Sequence, residues 1–246
     1  MGEIDLKEKL YTIPLSEALE KDSECPFCAL YEMLEDRALE YTLGPSYMEP
    51  DSRLQTNEKG FCRRHYQRMY EAGNRLGLAL MVSSHFDEIL KKYDDICGEN
   101  LKEKKGFLKK TANKNNSAIG DLKDSCFVCE KVDSDMEKFF DTFLYLWKSD
   151  EDFRNKVKNT KGFCIIHFEQ LLEKASKKFS EGDFNKMKNE LFDLQKSNLS
   201  RVKDELSWFI KKFDYRVKDE PWNNSKDSLK RSLIKLAAFD PEPKCE

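Results

Sequence analysis

Apolar residues recur at intervals of three and four along most of this chain, the spacing that keeps them on one face of an α-helix. One such series follows the first cysteine pair, at Leu30, Leu34 and Ala38. A second stripe, rich in aromatic residues, follows the second cysteine pair along the chain: Phe139, Phe140, Phe143, Leu144 and Trp147. No strand pattern surrounds either stripe, so the sequence predicts an all-α protein.

Turn-forming residues divide these helical stretches. Pro26 suits the first turn of a helix, and Gly44-Pro45-Ser46 ends the helix that it opens. Gly60 is expected to open a second long helix, with a bend near Gly73, and Gly162 to open its counterpart in the second half. The cysteine pairs are therefore expected at helix N-termini, where thiolates are favoured.

One cysteine–histidine motif occurs twice. The first copy is Cys25-Pro-Phe-Cys28 with Gly60-Phe-Cys62-Arg-Arg-His65. The second copy is Cys126-Phe-Val-Cys129 with Gly162-Phe-Cys164-Ile-Ile-His167. The two Cys-x-x-Cys pairs begin 101 residues apart and the two Cys-x-x-His pairs 102 residues apart. This spacing indicates an internal repeat, and we expect two pseudo-equivalent helical halves.

The repeat predicts five segments. They are a lead-in (1–24), a first metal-binding helical repeat (25–97), a linker (98–121), a second metal-binding helical repeat (122–213) and a C-terminal loop and helix (214–246). Glycines and an asparagine-rich run mark the linker.

Each repeat carries the ligands of a tetrahedral zinc site. A Cys-x-x-Cys pair supplies two soft thiolates and a Cys-x-x-His pair adds a thiolate and an imidazole. We predict two zinc ions, one clamping each half, held by these ligand sets: Cys25, Cys28, Cys62 and His65; Cys126, Cys129, Cys164 and His167. Ligands exchanged between the halves would satisfy the same motifs. Four protein ligands leave no open position, which favours a structural metal over a catalytic one.

Other uses of the thiols stay open. The same ligands can hold an iron–sulfur cluster, and Cys25-Pro-Phe-Cys28 can serve as a thiol–disulfide pair at a helix N-terminus. The thiol–disulfide hypothesis requires strands around the motif, as in thioredoxin-like enzymes. The second Cys-x-x-Cys motif also lacks the proline of the first. The remaining hypothesis is that the cysteines are buried thiols that bind no metal.

Charge and hydropathy narrow the class of protein. The chain has 43 basic and 46 acidic residues, a net charge of −3, which gives no global attraction to nucleic acid or to a membrane. The N-terminus lacks the basic and apolar regions of a signal peptide, and no stretch approaches the ~18 apolar residues of a membrane span. We therefore expect a cytoplasmic protein, whose paired cysteines bind metal rather than form disulfides.

Asp51-x-Arg53 and Asp152-x-Arg154 recur in matching connectors. The simpler interpretation of each pair is a buried salt bridge or a helix cap. A small-molecule site at the interface between the halves, using Arg53, Arg154 and Trp222, is an alternative.

His85, Cys97 and Cys245 have no repeat partner, and we read them as structural or incidental. The lysine run between residues 102 and 114 is interleaved with aromatic residues only at Phe107, so a solvated linker fits it better than a nucleic-acid site.

Three further segments carry a family resemblance beside the cysteine motifs. They are YTLGPSYMEPDSR at 41–53, GNRLGLAL at 73–80 and Pro221-Trp222-x-x-Ser225-x-Asp227-Ser228. With them the chain resembles, over nearly its whole length, an uncharacterised bacterial family, domain-of-unknown-function family 6062. The resemblance implies no activity, substrate or partner. The leading hypothesis is a non-enzymatic, zinc-binding adaptor or regulatory module with an unidentified partner, for which a protein is the candidate.

Overall fold

The computed structural model describes residues 2–103 and 125–241, with side chains described for 10–94 and 125–241. These residues form ten α-helices and no strand, which confirms the all-α prediction for the described part of the chain. The helices are α1 Gly2–Glu20, α2 Pro26–Leu43, α3 Pro50–Lys59, α4 Arg63–Glu71, α5 Arg75–Glu103, α6 Phe127–Ser149, α7 Glu151–Lys158, α8 Ile165–Lys178, α9 Glu181–Lys211 and α10 Ser228–Ala237. Short 3₁₀ helices lie at Pro45–Met48, Tyr215–Val217 and Asn223–Ser225. None of the described helices combines the length and the apolar character of a membrane-spanning segment.

The helix starts agree with the predicted positions of the cysteine motifs. Helix α2 begins at Pro26 and α6 at Phe127, so the first cysteine of each Cys-x-x-Cys pair directly precedes its helix and the second lies in the first turn. Cys62 and Cys164 are the N-cap residues of α4 and α8, and the paired histidines lie one turn further on. All four ligand pairs are therefore held at helix N-termini.

Several boundaries differ from the predicted ones, among them that of the helix expected from Gly162, which begins at Ile165. The helix expected from Gly60 begins at Arg63 and ends at Glu71, and α5 is a separate helix after Gly73. Gly73 has a φ of 87°, which a glycine adopts without strain, so the chain turns there instead of bending. Helix α5 also continues to Glu103, into the predicted linker. The rest of that linker with most of its lysines, the Cys97 side chain and Cys245 lie outside the described residues.

The chain forms two compact units that cut across the sequence repeats. Unit 1 comprises Met1–Glu32 with Met136–Glu246, and unit 2 is Met33–Asp135. Each unit thus contains the Cys-x-x-Cys pair of one repeat and the Cys-x-x-His pair of the other. The five predicted segments stay a prediction.

The core of unit 1 contains the phenylalanines of its two motifs, which pack with Phe143 of α6. Phe27, Phe143 and Phe163 are completely inaccessible to solvent. The ring of Phe163 lies 5.7 Å from that of Phe27 and 5.9 Å from that of Phe143, measured between centroids. Burying a side chain of this size stabilises a fold by about 1.5–3 kcal/mol. The phenylalanine beside each ligand pair therefore anchors that pair to the core.

Unit 2 uses the matching residues of the other two motifs. The rings of Phe61 and Phe127 meet edge to face at 6.5 Å. The backbone N–H of Phe127 also donates a 3.0 Å hydrogen bond to the carbonyl of Gly60. These contacts join the start of α6 to the loop before α4.

Candidate metal centres

Four predicted ligands come together in unit 1, in a group that we call site 1. It consists of Cys25, Cys28, Cys164 and His167, and its four ligand atoms all lie within 4.8 Å of one another. The His167 Nδ1 atom is 3.6 Å from the Sγ of Cys25, 3.4 Å from that of Cys28 and 3.2 Å from that of Cys164. Cys25, Cys164 and His167 are buried, so the site lies inside the unit.

The other four predicted ligands form site 2, within unit 2. Cys62, His65, Cys126 and Cys129 again place their ligand atoms within 4.8 Å of one another. His65 Nδ1 is 3.2 Å from the Sγ of Cys62, 3.2 Å from that of Cys126 and 3.5 Å from that of Cys129.

The predicted grouping within each repeat is wrong, and the exchange between repeats that the sequence left open is what the structure has. Cys25 and Cys28 meet Cys164 and His167, not Cys62 and His65. The physical reason is that each Cys-x-x-Cys pair is anchored by its phenylalanine in a core to which the other repeat contributes the second ligand pair.

The geometry of both sites fits one metal ion. In a tetrahedral zinc site with Zn–S of about 2.3 Å and Zn–N of about 2.0–2.1 Å, adjacent sulfur and nitrogen ligands are roughly 3.5 Å apart. The Sγ–Nδ1 distances of 3.2–3.6 Å match that value. Ligands of an iron–sulfur cluster surround several iron and sulfide ions and must stand further apart. The two Cys3His groups could therefore each bind a metal, and a single ion fits them better than a cluster.

Helix N-termini favour thiolates at both sites. The side chain of Cys164, the N-cap of α8, accepts a hydrogen bond from the backbone N–H of His167. The positive end of a helix dipole stabilises a nearby negative charge. The local fold therefore supports the deprotonated form that a metal requires.

The proton affinities at site 1 are shifted by the close approach of its groups. Burial raises the pKa of Cys25, but hydrogen bonds with Cys164, Cys28 and His167 outweigh it and hold the pKa well below its usual value. The pKa of Cys28 is raised by its hydrogen bonds with Cys164 and Cys25. Burial lowers the pKa of His167, but hydrogen bonds with Cys164 and Cys25 raise it overall to about 10.

Site 2 shows the same pattern. Against the effect of burial, the hydrogen bond with His65 lowers the pKa of Cys126 to about 6. Against burial, hydrogen bonds with Cys126 and Glu35 raise the pKa of His65 to about 9. Each site thus favours one thiolate beside a protonated histidine, and a bound cation would displace the protons that the histidine and the other thiols hold.

Glu35 supports His65 from the outer side of site 2. Its Oε1 atom lies 2.8 Å from His65 Nε2, and the carboxylate is 1% exposed. Arg64 donates to Glu35 Oε2 at 2.7 Å, and Arg68 donates to the same oxygen. Burial raises the pKa of Glu35, but the hydrogen bond with His65 and the two arginines lower it overall. A carboxylate in this position orients a metal-binding histidine and increases its basicity.

The sequence analysis did not identify Glu35. The sequence feature that could have identified Glu35 is the position of an acidic residue directly beside Leu34 on the apolar face of α2. Site 1 has a different surrounding: Met136, the repeat counterpart of Glu35, is buried and apolar. The His167 ring lies among the rings of Phe27 and Phe140, at centroid distances of 6.0 and 6.3 Å. The two sites are thus alike in ligands and different in what surrounds the histidine.

The other candidate residues make local contacts. Arg154 donates to the carbonyls of Trp147 at 2.8 Å and Lys148 at 3.4 Å, which caps the C-terminal end of α6. Arg53 donates to Ser84 Oγ and, at 3.5 Å, to the carbonyl of Leu80.

Trp222 and His85 also lie against neighbours in their own unit. The Trp222 ring packs on Phe209 at 5.9 Å. His85 bonds through Nδ1 to the carbonyl of Asn57 at 2.6 Å. The His85 ring fills the space where a Cβ on Gly60 would stand, and Gly60 has a positive φ of 59°, so a glycine is required there.

The fold and the sites define an all-helical protein with two Cys3His groups suited to binding metal. The family model for the family of unknown function DUF6062 matches residues 6–243. The chain belongs to this family, as its motifs indicated. Comparison with curated proteins and with solved structures gave no match.

Proposed function

We propose that this protein is a cytoplasmic zinc-binding adaptor or regulatory module in which two zinc ions are structural. One observation carries the proposal: within each unit, three sulfur atoms and one nitrogen lie within 4.8 Å of one another. Four protein ligands fill the coordination shell of zinc and leave no position for water or substrate. This closure favours a structural role over catalysis.

The metal would connect helix starts that are far apart in sequence. Site 1 joins the start of α2 to the start of α8, and site 2 joins the start of α4 to the start of α6. Binding of structural zinc supplies about 10–16 kcal/mol in zinc-finger peptides at neutral pH, whereas closing a loop costs a few kcal/mol. Zinc at either site would therefore decide whether the corresponding unit is folded.

The alternatives have less support. An iron–sulfur cluster needs more widely spaced ligands than these sites provide. A thioredoxin-like thiol exchange needs strands around the motif, and the described residues contain none. A small-molecule site using Arg53, Arg154 and Trp222 would draw on side chains that already bond to or pack against their own unit.

Metal analysis of protein purified without added metal or chelator tests the proposal. We expect about two zinc ions per chain and no visible absorbance, since zinc has a filled d shell. Cys62→Ser should remove one zinc and lower the Tm sharply, whereas Ser207→Ala, at an exposed serine, should change neither. Iron with absorbance in the visible range, or a Cys62→Ser variant with unchanged zinc and Tm, would contradict the proposal.

The adaptor role is supported by an exposed apolar stripe on α5. Leu76, Phe86, Leu90 and Tyr93 are all exposed to solvent. They occupy positions with the alternating three- and four-residue spacing of a coiled-coil seam, with Ala79 and Ser83 in the remaining positions. Exposed stripes of this kind are typical of surfaces that pair with another helix.

A photo-crosslinking residue placed at Leu90 tests this role in living cells. We expect a crosslinked species of defined mass that disappears when Phe86→Glu is added, because a charge in the seam blocks helix pairing. The same crosslinker at Glu173, on the exposed side of α8, is the control. Identical crosslinking from both positions would contradict a docking role for the stripe.

A further inference from the structure

Lys235 lies on α10, outside both cysteine motifs, yet it contacts the backbone beside both ligand pairs of site 1. Its side chain is 1% exposed. The ammonium group donates to the carbonyl of Glu24 at 2.6 Å, to that of Lys161, and to that of Phe163 at 3.5 Å. Glu24 directly precedes Cys25, and Phe163 directly precedes Cys164. One ammonium group therefore ties together the two chain segments that supply the ligands.

Site 2 ties its corresponding segments together without a lysine. The backbone N–H of Phe127 donates to the carbonyl of Gly60 at 3.0 Å. Ser125 Oγ donates to the carbonyl of Lys59 at 2.7 Å. Both bonds link the residues around Cys126 directly to those before Cys62.

Neither bond can form at site 1. The repeat counterpart of Phe127 is Pro26, which has no backbone N–H. The counterpart of Ser125 is Glu24, which has no hydroxyl group. The counterpart of Lys59 is Lys161, whose carbonyl is one of those that Lys235 reaches. Lys235, on α10, thus connects the two ligand-bearing segments of site 1, which at site 2 are connected by direct hydrogen bonds between the segments themselves.

A buried ion network holds Lys235 in place. Its Nζ lies 3.4 Å from Glu24 Oε2. Arg201, on α9, donates to both oxygens of Glu24, at 2.9 and 2.7 Å. Arg231, on α10, lies 3.7 Å from Glu24 and also bonds to Glu205. Buried charges persist when they are paired and hydrogen-bonded, and here the partners fix α10 against the start of α2.

We propose that Lys235 is a positioning residue of site 1, and that metal retention at this site depends on the C-terminal helix α10 whereas retention at site 2 does not. The inference rests on the proposed metal-binding function. It makes the two sites, which have the same ligands, unequal in how their metal is held.

Chelator-driven zinc release from the full chain tests the inference. In Lys235→Met, one zinc per chain should be released about 10–100-fold faster than in the unmodified protein, because loss of outer-shell support typically lowers metal affinity by that factor and we expect the loss in the release rate. The second zinc should be released at the same rate as in the unmodified protein. Lys230→Met, a lysine change on the same helix at a side chain that pairs with Asp240 and not with the segments of site 1, is the control and should leave both rates unchanged.

A rescue experiment separates positioning from general loss of stability. Pro26→Ala restores a backbone N–H at the position of Phe127, so adding it to Lys235→Met should recover much of the slow release. If Lys235→Met does not fold, Lys235→Gln, which keeps a donor, takes its place in the same comparison. Two zinc ions released at unchanged rates, or equal acceleration at both sites, would overturn the inference. A wild-type chain that holds no metal would instead overturn the proposed function.

Discussion

At the scale of single residues, spacing identified the eight residues that the structure brings together in two Cys3His groups, but not the residues that support them. Cys-x-x-Cys and Cys-x-x-His place two ligand atoms about one helical turn apart, so local sequence is enough to recognise them. Glu35 and Lys235 act across the fold, on His65 and on the backbone around Cys25 and Cys164. Their contacts depend on tertiary packing, which spacing along the chain does not encode.

Glu35→Gln should weaken metal binding at site 2 and leave site 1 unchanged. The amide keeps the size of the side chain but removes the negative charge that supports His65, and such outer-shell changes typically lower metal affinity by about 10–100-fold. Competition with a chromophoric chelator measures the affinity of each site. Asp36→Asn is the matched control, because Asp36 pairs with Arg68 without touching His65. Equal effects of the two variants would rule out a role for Glu35 through the histidine.

At the scale of helices, most boundaries followed from glycine and proline, but the breaks between α6 and α7 and between α8 and α9 did not. Pro26 begins α2, as its fixed φ allows, and Gly44 follows the last residue of that helix, where a Cβ would meet the carbonyl oxygen of Glu40 at 2.8 Å. The break at Phe179 and Ser180 contains neither residue type. The signal there was Ser180 with Asp183 three residues later, a capping pattern that interrupts an otherwise continuous apolar stripe.

Ser180→Ala should destabilise unit 1 by about 1 kcal/mol. The Ser180 side chain accepts a hydrogen bond from the backbone N–H of Asp183 at 3.2 Å, and loss of such an N-cap typically costs this amount. Urea unfolding followed by circular dichroism measures the change. Ser176→Ala, at an exposed serine within α8, removes a hydroxyl without removing a cap. A loss of stability no larger than that of this control would show that α9 does not depend on Ser180.

At the scale of the whole molecule, the all-helical fold and the repeat were predictable, and the exchange of ligands between repeats was not. Cys28 is 34 residues from Cys62 and 136 residues from Cys164. This fourfold longer closure costs only about 1.2 kcal/mol more, since each doubling of loop length adds about 0.6 kcal/mol. Burial of Phe27 against Phe143 and Phe163 contributes more than that difference. Core packing therefore selects the partner, and loop length cannot reveal it.

Paired cysteine substitutions distinguish the two groupings directly. Cys25→Ser with Cys164→Ser removes two ligands of site 1 and should leave about one zinc per chain. Cys25→Ser with Cys62→Ser removes one ligand from each site and should leave much less than one zinc per chain. Ligand sets confined to single repeats would give the reverse order, because Cys25 and Cys62 would then share a site.

The same two variants also separate the stabilities of the units. The Cys25/Cys164 variant keeps all four ligands of site 2, so the residues of unit 2 should retain slow amide hydrogen exchange while those of unit 1 lose it. The Cys25/Cys62 variant should lose protection in both units, since each has an incomplete site. Zinc analysis and hydrogen exchange on the same samples thus test whether each metal stabilises the unit that contains its ligands. Loss of protection in both units of the first variant would mean that they fold as one cooperative body.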